Sequence, residues 1–215
     1  MSVLSKQDIK SRLGISIKDD SSLVVTPLLL GDEAFDSDAI DLRLGSYFLL
    51  PRTPPRPFLH PGSDPTDHSN LRVHVPIGRY LVLPAHQTVL GATLEFIKVP
   101  FDVSGQILTK SSVARMFMVI ETAPWIHPNY RGCLTLEIAN VSNTPVLLFP
   151  GMAIGQLILM HVSGAEEPKV LAATYFGPIF PQPPPAKNLR AHFAKLGISG
   201  VEIPTLKVDN CTEPP

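Results

Sequence analysis

In "GCLTLEIAN", residues 132–140, Leu134, Leu136 and Ile138 take every second position, the two-residue period of a strand with one buried face. Runs of the same kind recur: "SLVVTPLLL", "AIDLRLGSYFLL", "RVHVP", "RYLVLPA", "TVLGATLEFIKVP", "VSGQILTK", "MFMVIETA", "TPVLLFP" and "AIGQLILMHV". Glycine, proline, asparagine and aspartate separate them, so each run is short and ends in a corner. Short strands at close spacing predict an all-β dominated fold, a sandwich or a barrel. Helical patterning is confined to the two ends. Ser5 and Asp8 stand at the spacing of a capping box, Leu4, Ile9 and Leu13 can share one helical face, and Gly14 is a stop signal. Together they predict a helix over about residues 5–13. "AKNLRAHFAKLG", 186–197, reads as a second short helix. The polar, proline-rich stretch 51–70 reads as an excursion and "VDNCTEPP" as a loose tail. The expected division is a β domain over 1–180, then a proline-rich segment, a short helix and a tail over 181–215.

Composition sharpens this picture. The 23 prolines each remove a backbone donor and end helices and central strands, which favours short elements with many corners. Hydrophobic residues make up 44% of the 215, ample for a core, while charged residues are 17% and the net charge is −1. That balance argues against broad electrostatic binding to a nucleic acid polymer, though not against one small anion in a local pocket. Cys133 and Cys211 lie far apart in unlike contexts, which suits neither a disulfide framework nor a cysteine zinc site. "MSVLSKQDIK" lacks the apolar centre of a secretory signal, and no apolar run reaches the roughly 18 residues of a membrane span. The expectation is a soluble, cytoplasmic, reduced protein with no membrane partner.

Candidate chemistry concentrates in "TKSSVARMFMVIETAPWIHPNYRGCLTLEIAN", residues 109–140. Ser111 and Ser112 stand beside Lys110 and Arg115, and hydroxyls, backbone N–H groups and cations together can hold phosphate oxygens. The corner "TAPWIHPNYRG" offers Trp125 and Tyr130 as flat surfaces. Glu137 follows on the next strand, on a face it shares with Cys133, Thr135 and Ala139. Taken singly, each part has an ordinary explanation: a turn, a core aromatic, a solvated strand carboxylate. Small, weakly polar neighbours favour the alternative for Glu137, since a solvated face carries more charge. Phosphate donors, aromatic surfaces and one carboxylate suit a nucleotide pocket.

This block resembles the dCTP deaminase family, within the trimeric dUTPase-like superfamily. "SSVAR" at 111–115 is similar to that family's Ser-Ser-Leu-Ala-Arg signature, and "TAPWIHPNYRGCLTLEIAN" at 122–140 to its corner and catalytic strand. "PGMAIGQLIL", "DLRLGSYF" and "TVLGATLEFIKVP" extend the resemblance over about residues 5–178. The resemblance implies a distorted β-barrel of the dUTPase-like type, a homotrimer with sites between subunits, and deamination of a deoxycytidine nucleotide without zinc. In keeping with it, the sequence has no His-x-Glu paired with Pro-Cys-x-x-Cys. By the same resemblance Glu137 shuttles protons, Ser111 and the Ala123 carbonyl position the attacking water, and Arg115 orients Glu137 and the base. Burial would raise the pKa of Glu137 and Arg115 would lower it, and the sequence leaves the two opposed. Backbone near Thr135 would read cytosine, Tyr130 would pack beneath deoxyribose, and Lys110 and Ser112 would touch phosphates. Trp125, His127, Gln156 and Tyr175 complete the implied substrate contacts, and Mg²⁺ would be bound through the nucleotide triphosphate rather than by a protein cage.

Three departures matter. The family has Gly-Arg where this chain has Thr109-Lys110, and lysine keeps the charge without the bidentate fork. His127 stands where the family's corner carries an aspartate, which in the dUTPase branch binds the sugar hydroxyl and positions the hydrolytic water. In "TYFGPIFPQPPP", Tyr175, Gly177 and Pro178 match the family's closing tail, and the polar residues that should follow do not. The leading expectation is therefore an enzyme converting dCTP to dUTP and ammonia. The alternatives are a non-catalytic nucleotide-binding or structural trimer, and a related enzyme acting on another deoxynucleotide, dUTP included.

Overall fold

The structure, a computed structural model, describes residues 2–29, 31–36, 38–51, 70–120, 123–165, 177–183 and 189–197. The excursion within 51–70, Tyr175, Cys211 and the "VDNCTEPP" tail lie outside the described residues. The strands are β1 (Ser2–Val3), β2 (Val24–Thr26), β3 (Phe35–Asp36), β4 (Ala39–Arg43), β5 (Tyr47–Pro51), β6 (Asn70–His74) and β7 (Leu81–Leu83). They continue with β8 (Thr88–Lys98), β9 (Val103–Thr109), β10 (Met118–Ile120), β11 (Trp125–Ile126), β12 (Arg131–Asn140), β13 (Val146–Leu148) and β14 (Ala153–His161). Helices are α1 (Lys6–Leu13), the single turn α2 (Ser111–Ala114) and α3 (Leu189–Lys195). Among the described residues no helix is long and apolar enough to cross a membrane.

The chain divides into two compact units, residues 1–50 with 71–182, and residues 51–70 with 183–215. In the second unit, the described part includes α3, which falls within the expected 186–197 and is followed by Gly197 at φ 72°. In the first unit, one antiparallel sheet runs β11-β9-β14-β4-β3, with β1 beside β14. A second runs β10-β12-β8-β5-β6, with β2 beside β8, and β7 and β13 form a small hairpin sheet. At Leu44–Gly45 the chain passes from the first sheet to the second: Leu44 N–H donates to the Met152 carbonyl, Gly45 N–H to that of Ala92. Apolar side chains at alternate positions meet in one core, with Ile40, Leu42, Ile97, Leu136, Ile138 and Leu157 fully buried. The outcome is a strand-dominated distorted β-barrel with a few short helices.

The N-terminal helix forms as its sequence predicts. Ser5 caps it, its Oγ accepting from Asp8 N–H while Asp8 reaches back to Ser5 N–H, and Ile9 is buried beneath it. Its far end is clasped by Asp102, which accepts from both terminal nitrogens of Arg12. That hydrogen bonding holds the Asp102 carboxyl below its ordinary range, against a smaller opposing effect of burial. A depressed folded pKa stabilises the fold above the unfolded value of about 3.9, and the contribution disappears as pH falls through the folded pKa. Asp102→Asn should therefore be less stable than wild type by a steady margin down to about pH 5. The margin should shrink below about pH 4, as followed by denaturant midpoints across a pH series. A margin that grows in acid would contradict the clasp.

Charge also enters the interior. Glu95 and Arg43 are 1% and 8% exposed at their side chains, and Arg43 Nε donates to Glu95 Oε1 at 2.7 Å. Arg43 N–H and Nη2 satisfy Glu95 Oε2 and the Pro27 carbonyl, so the pair is hydrogen-bonded on both sides. Opposite them β12 meets an irregularity in β8: Cys133 pairs with Phe96, and Thr135 with Ala92. Thr93 fills the gap, its hydroxyl accepting from Leu134 N–H and donating to the Glu95 carbonyl.

Candidate functional site

The site begins where β9 ends. Lys110 N–H donates to the Ile154 carbonyl at 3.0 Å, which anchors the start of α2 on the neighbouring strand. Val113 is buried and holds the turn against the core, so Ser111, Ser112 and Arg115 face outward. Phe117, at φ 58°, reverses the chain into β10, and β10 pairs with β12 from Met118↔Asn140 to Ile120↔Ile138. One short path thus connects the hydroxyl and guanidinium groups to the strand that carries the carboxylate.

On β12, Leu134, Leu136 and Ile138 are buried as their alternation requires. Glu137 is half-buried, with its Oε2 shielded from solvent. Its face carries Cys133 and Ala139, both buried, and Thr135, half-buried. Glu137 is therefore no solvated surface charge. Burial pushes the Cys133 thiol up from its ordinary pKa, so this small residue lines the face as a neutral group.

The corner residues divide. The Pro124 carbonyl accepts from Ile107 N–H, which fixes Ala123 and Pro124 at the surface. Trp125 is 41% exposed on β11, opposite Gln106, and His127 is exposed just beyond it. Trp125 therefore belongs to the edge of the first sheet, with His127 directly after its strand, whereas Glu137 lies on the second. Tyr130 turns inward instead: it packs on the core, and its hydroxyl donates to the Cys133 carbonyl at 2.8 Å. Burial pushes its pKa well up, so the phenol stays neutral.

Two features escaped the sequence reading. Asp41 joins two of the expected substrate residues, its carboxylate accepting from Lys110 Nζ on one oxygen and from Gln156 Nε2 on the other. The second feature is the segment 177–182, which lies along β12. Gly177 N–H donates to the Arg131 carbonyl, Cys133 N–H to the Pro178 carbonyl, and Gln182 N–H to Thr135 Oγ1. Phe180 packs edge-on against Tyr47, with the Arg72 guanidinium 5.4 Å from its ring. The only sequence signal was the short likeness at Gly177 and Pro178 to a closing tail; nothing local pointed to Thr135 as its partner.

Gly132 makes this approach possible. It sits at φ 146°, and a Cβ there would lie 2.5 Å from Pro178 Cδ and 2.9 Å from the Pro178 carbonyl oxygen. Gly132→Ala should release 177–182 from β12 and cost about 1–3 kcal/mol. Faster hydrogen exchange at the Cys133 amide, with a lowered denaturant midpoint, is the expected readout, and unchanged exchange would contradict the packing.

Comparisons with known proteins agree with this architecture. A family model described as dCTP deaminase-like matches residues 3–162. The chain is 32% identical over 207 residues to a dUMP-forming dCTP deaminase of Leifsonia xyli, covering 93% of this chain and 96% of that protein. It is 36% identical over 169 residues to a dCTP deaminase of Halorubrum lacusprofundi, covering 77% and 81%. Among solved structures, it is similar in fold to the 2'-deoxycytidine 5'-triphosphate deaminase of Agrobacterium tumefaciens, at a TM-score of 0.56 and 21% identity. That match covers 74% of this chain and 48% of the other.

Proposed function

Since the chain belongs to the dCTP deaminase-like family, we propose that it hydrolyses the exocyclic amine of dCTP, giving dUTP and ammonia, with Glu137 as the proton shuttle. The observation that carries this reading is the placement of Glu137: a half-buried carboxylate, one oxygen shielded, on a strand face of small residues. A carboxylate so placed can take a proton from water as the oxygen adds to C4, and protonate N3. It can then take the proton of the new C4 hydroxyl and deliver it to the departing amine as the C4 carbonyl forms and the C4–N bond breaks, so that water and dCTP balance ammonia and dUTP. Ser111 and the Ala123 carbonyl would hold the water, and Arg115 would orient the carboxylate.

Ser111, Ser112 and Arg115 face outward, which favours completion of the site by a second copy in a cyclic homotrimer. Tyr130 supports the sugar floor indirectly, because its hydroxyl is committed to the Cys133 carbonyl. Lys110 and Ser112 would face the phosphates. Magnesium would arrive on the triphosphate, consistent with the hydroxyls and single ammonium near α2.

A second reading ends at dUMP and pyrophosphate, and it is favoured by the similarity to the dUMP-forming Leifsonia protein. His127 at the corner weighs against it, because it stands where the resemblance places the aspartate that positions the hydrolytic water. Incubation with dCTP and Mg²⁺, followed by product chromatography and pyrophosphate detection, separates the two. Accumulating dUTP with ammonia is the expected result. Equimolar dUMP and pyrophosphate would establish the second reading, and no ammonia from a folded trimer would overturn both.

A further inference from the structure

We propose that Asp41 is a positioning residue for nucleotide binding, acting through Lys110; the proposal rests on the reading above that Lys110 faces the phosphates. Asp41 on β4 lies opposite Gln156 on β14, and Gln156 lies opposite Leu108 on β9, so the three stand in one row across three strands. Lys110 follows two residues after Leu108. Its backbone is pinned to Ile154, and its side chain reaches back across β14 to Asp41. The ion pair is largely enclosed, with side-chain exposures of 23% for Lys110 and 14% for Asp41. Gln156 Nε2 donates to the second carboxylate oxygen at 3.2 Å, so both oxygens of Asp41 are engaged.

This arrangement answers a problem that lysine creates. A lysine stem has about 2 kcal/mol of rotamer entropy to lose, and its ammonium has no fixed fork with which to meet phosphate oxygens. Tethering Nζ to Asp41 removes that freedom before substrate arrives. An ammonium has three donors, so one bond to Asp41 leaves two directed at a ligand. The carboxylate also offsets the lysine charge, so the pair would contribute orientation more than attraction. Ser111 and Ser112, the next two residues, present their exposed hydroxyls beside it. Asp41 need not touch substrate to set which phosphate geometry is accepted.

The test is a double-mutant cycle on the full-length enzyme with dCTP as the varied substrate. Asp41→Asn should raise KM about tenfold, equivalent to about 1.4 kcal/mol, with kcat changed less than about twofold. Lys110→Ala should raise KM at least as much. The double variant should match Lys110→Ala, because the aspartate acts only through the lysine. A purely structural aspartate would give effects that multiply, and that result overturns the proposal, as does an unchanged KM in a folded Asp41→Asn. If Lys110→Ala itself leaves KM unchanged, the phosphate reading of Lys110 fails and this inference fails with it. A raised KM for Lys110→Ala beside a normal Asp41→Asn sinks the inference alone. Should Asp41→Asn not fold, Asp41→Glu keeps the charge, shifts the carboxylate by one methylene and supplies the same comparison.

Discussion

Glu137→Gln should reduce dCTP turnover by about 10³-fold or more while the protein still folds and assembles. General acid–base catalysis contributes roughly 10²–10⁴-fold in rate, and here one carboxylate is asked to serve both directions of proton transfer. The amide is nearly isosteric, so packing against Cys133, Thr135 and Ala139 should survive. It cannot accept a proton from water, so the loss should fall on kcat, with substrate binding retained. Steady-state ammonia release, sedimentation and thermal melting of the same preparation give the three readouts. Turnover above a tenth of wild type would remove Glu137 from the mechanism. A collapsed oligomer with normal chemistry in the residual trimer would make it a packing residue.

The largest stability effect should come from Glu95→Ala. This change strands the Arg43 guanidinium, 8% exposed, without its carboxylate. Breaking a buried ion pair from one side costs about 3–5 kcal/mol, because the remaining charge stays desolvated and unpaired. Glu95 also accepts from Arg43 N–H, so a backbone donor loses its partner as well. The shift in denaturant midpoint, measured at fixed protein concentration, should be correspondingly large. Replacing both partners with apolar residues should recover much of it. A loss below about 1 kcal/mol would mean that water reaches the pair.

Much of the fold was legible because alternation reports which face of a strand is buried. Leu134, Leu136 and Ile138 announced the core side of β12 in this way. The capping box at Ser5 and Asp8 was legible because it closes within three residues. Glu137 was legible as the one charge on a face of small residues. The ion pairs were not. Arg43 and Glu95 are 52 residues apart, and Asp41 and Lys110 are 69 apart, so no local pattern links either pair. The bond from the Tyr130 hydroxyl to the Cys133 carbonyl, three residues on, was not legible either, because it depends on the turn of the chain into β12. Trp125 and His127 stand a few residues before β12 in sequence, yet Trp125 pairs into the other sheet and His127 directly follows β11.

By itself the sequence determined the strand-rich class, the short terminal helices and the carboxylate on β12, since side-chain period and capping are set by residues a few positions apart. Only the tertiary structure decided which strands are neighbours, and therefore that Asp41 holds Lys110, that Glu95 meets Arg43 and that Pro178 lies against Gly132. Those choices depend on contacts between distant segments. Their free energy comes from joint burial and from pairing charges away from water, and neither can be read along the chain.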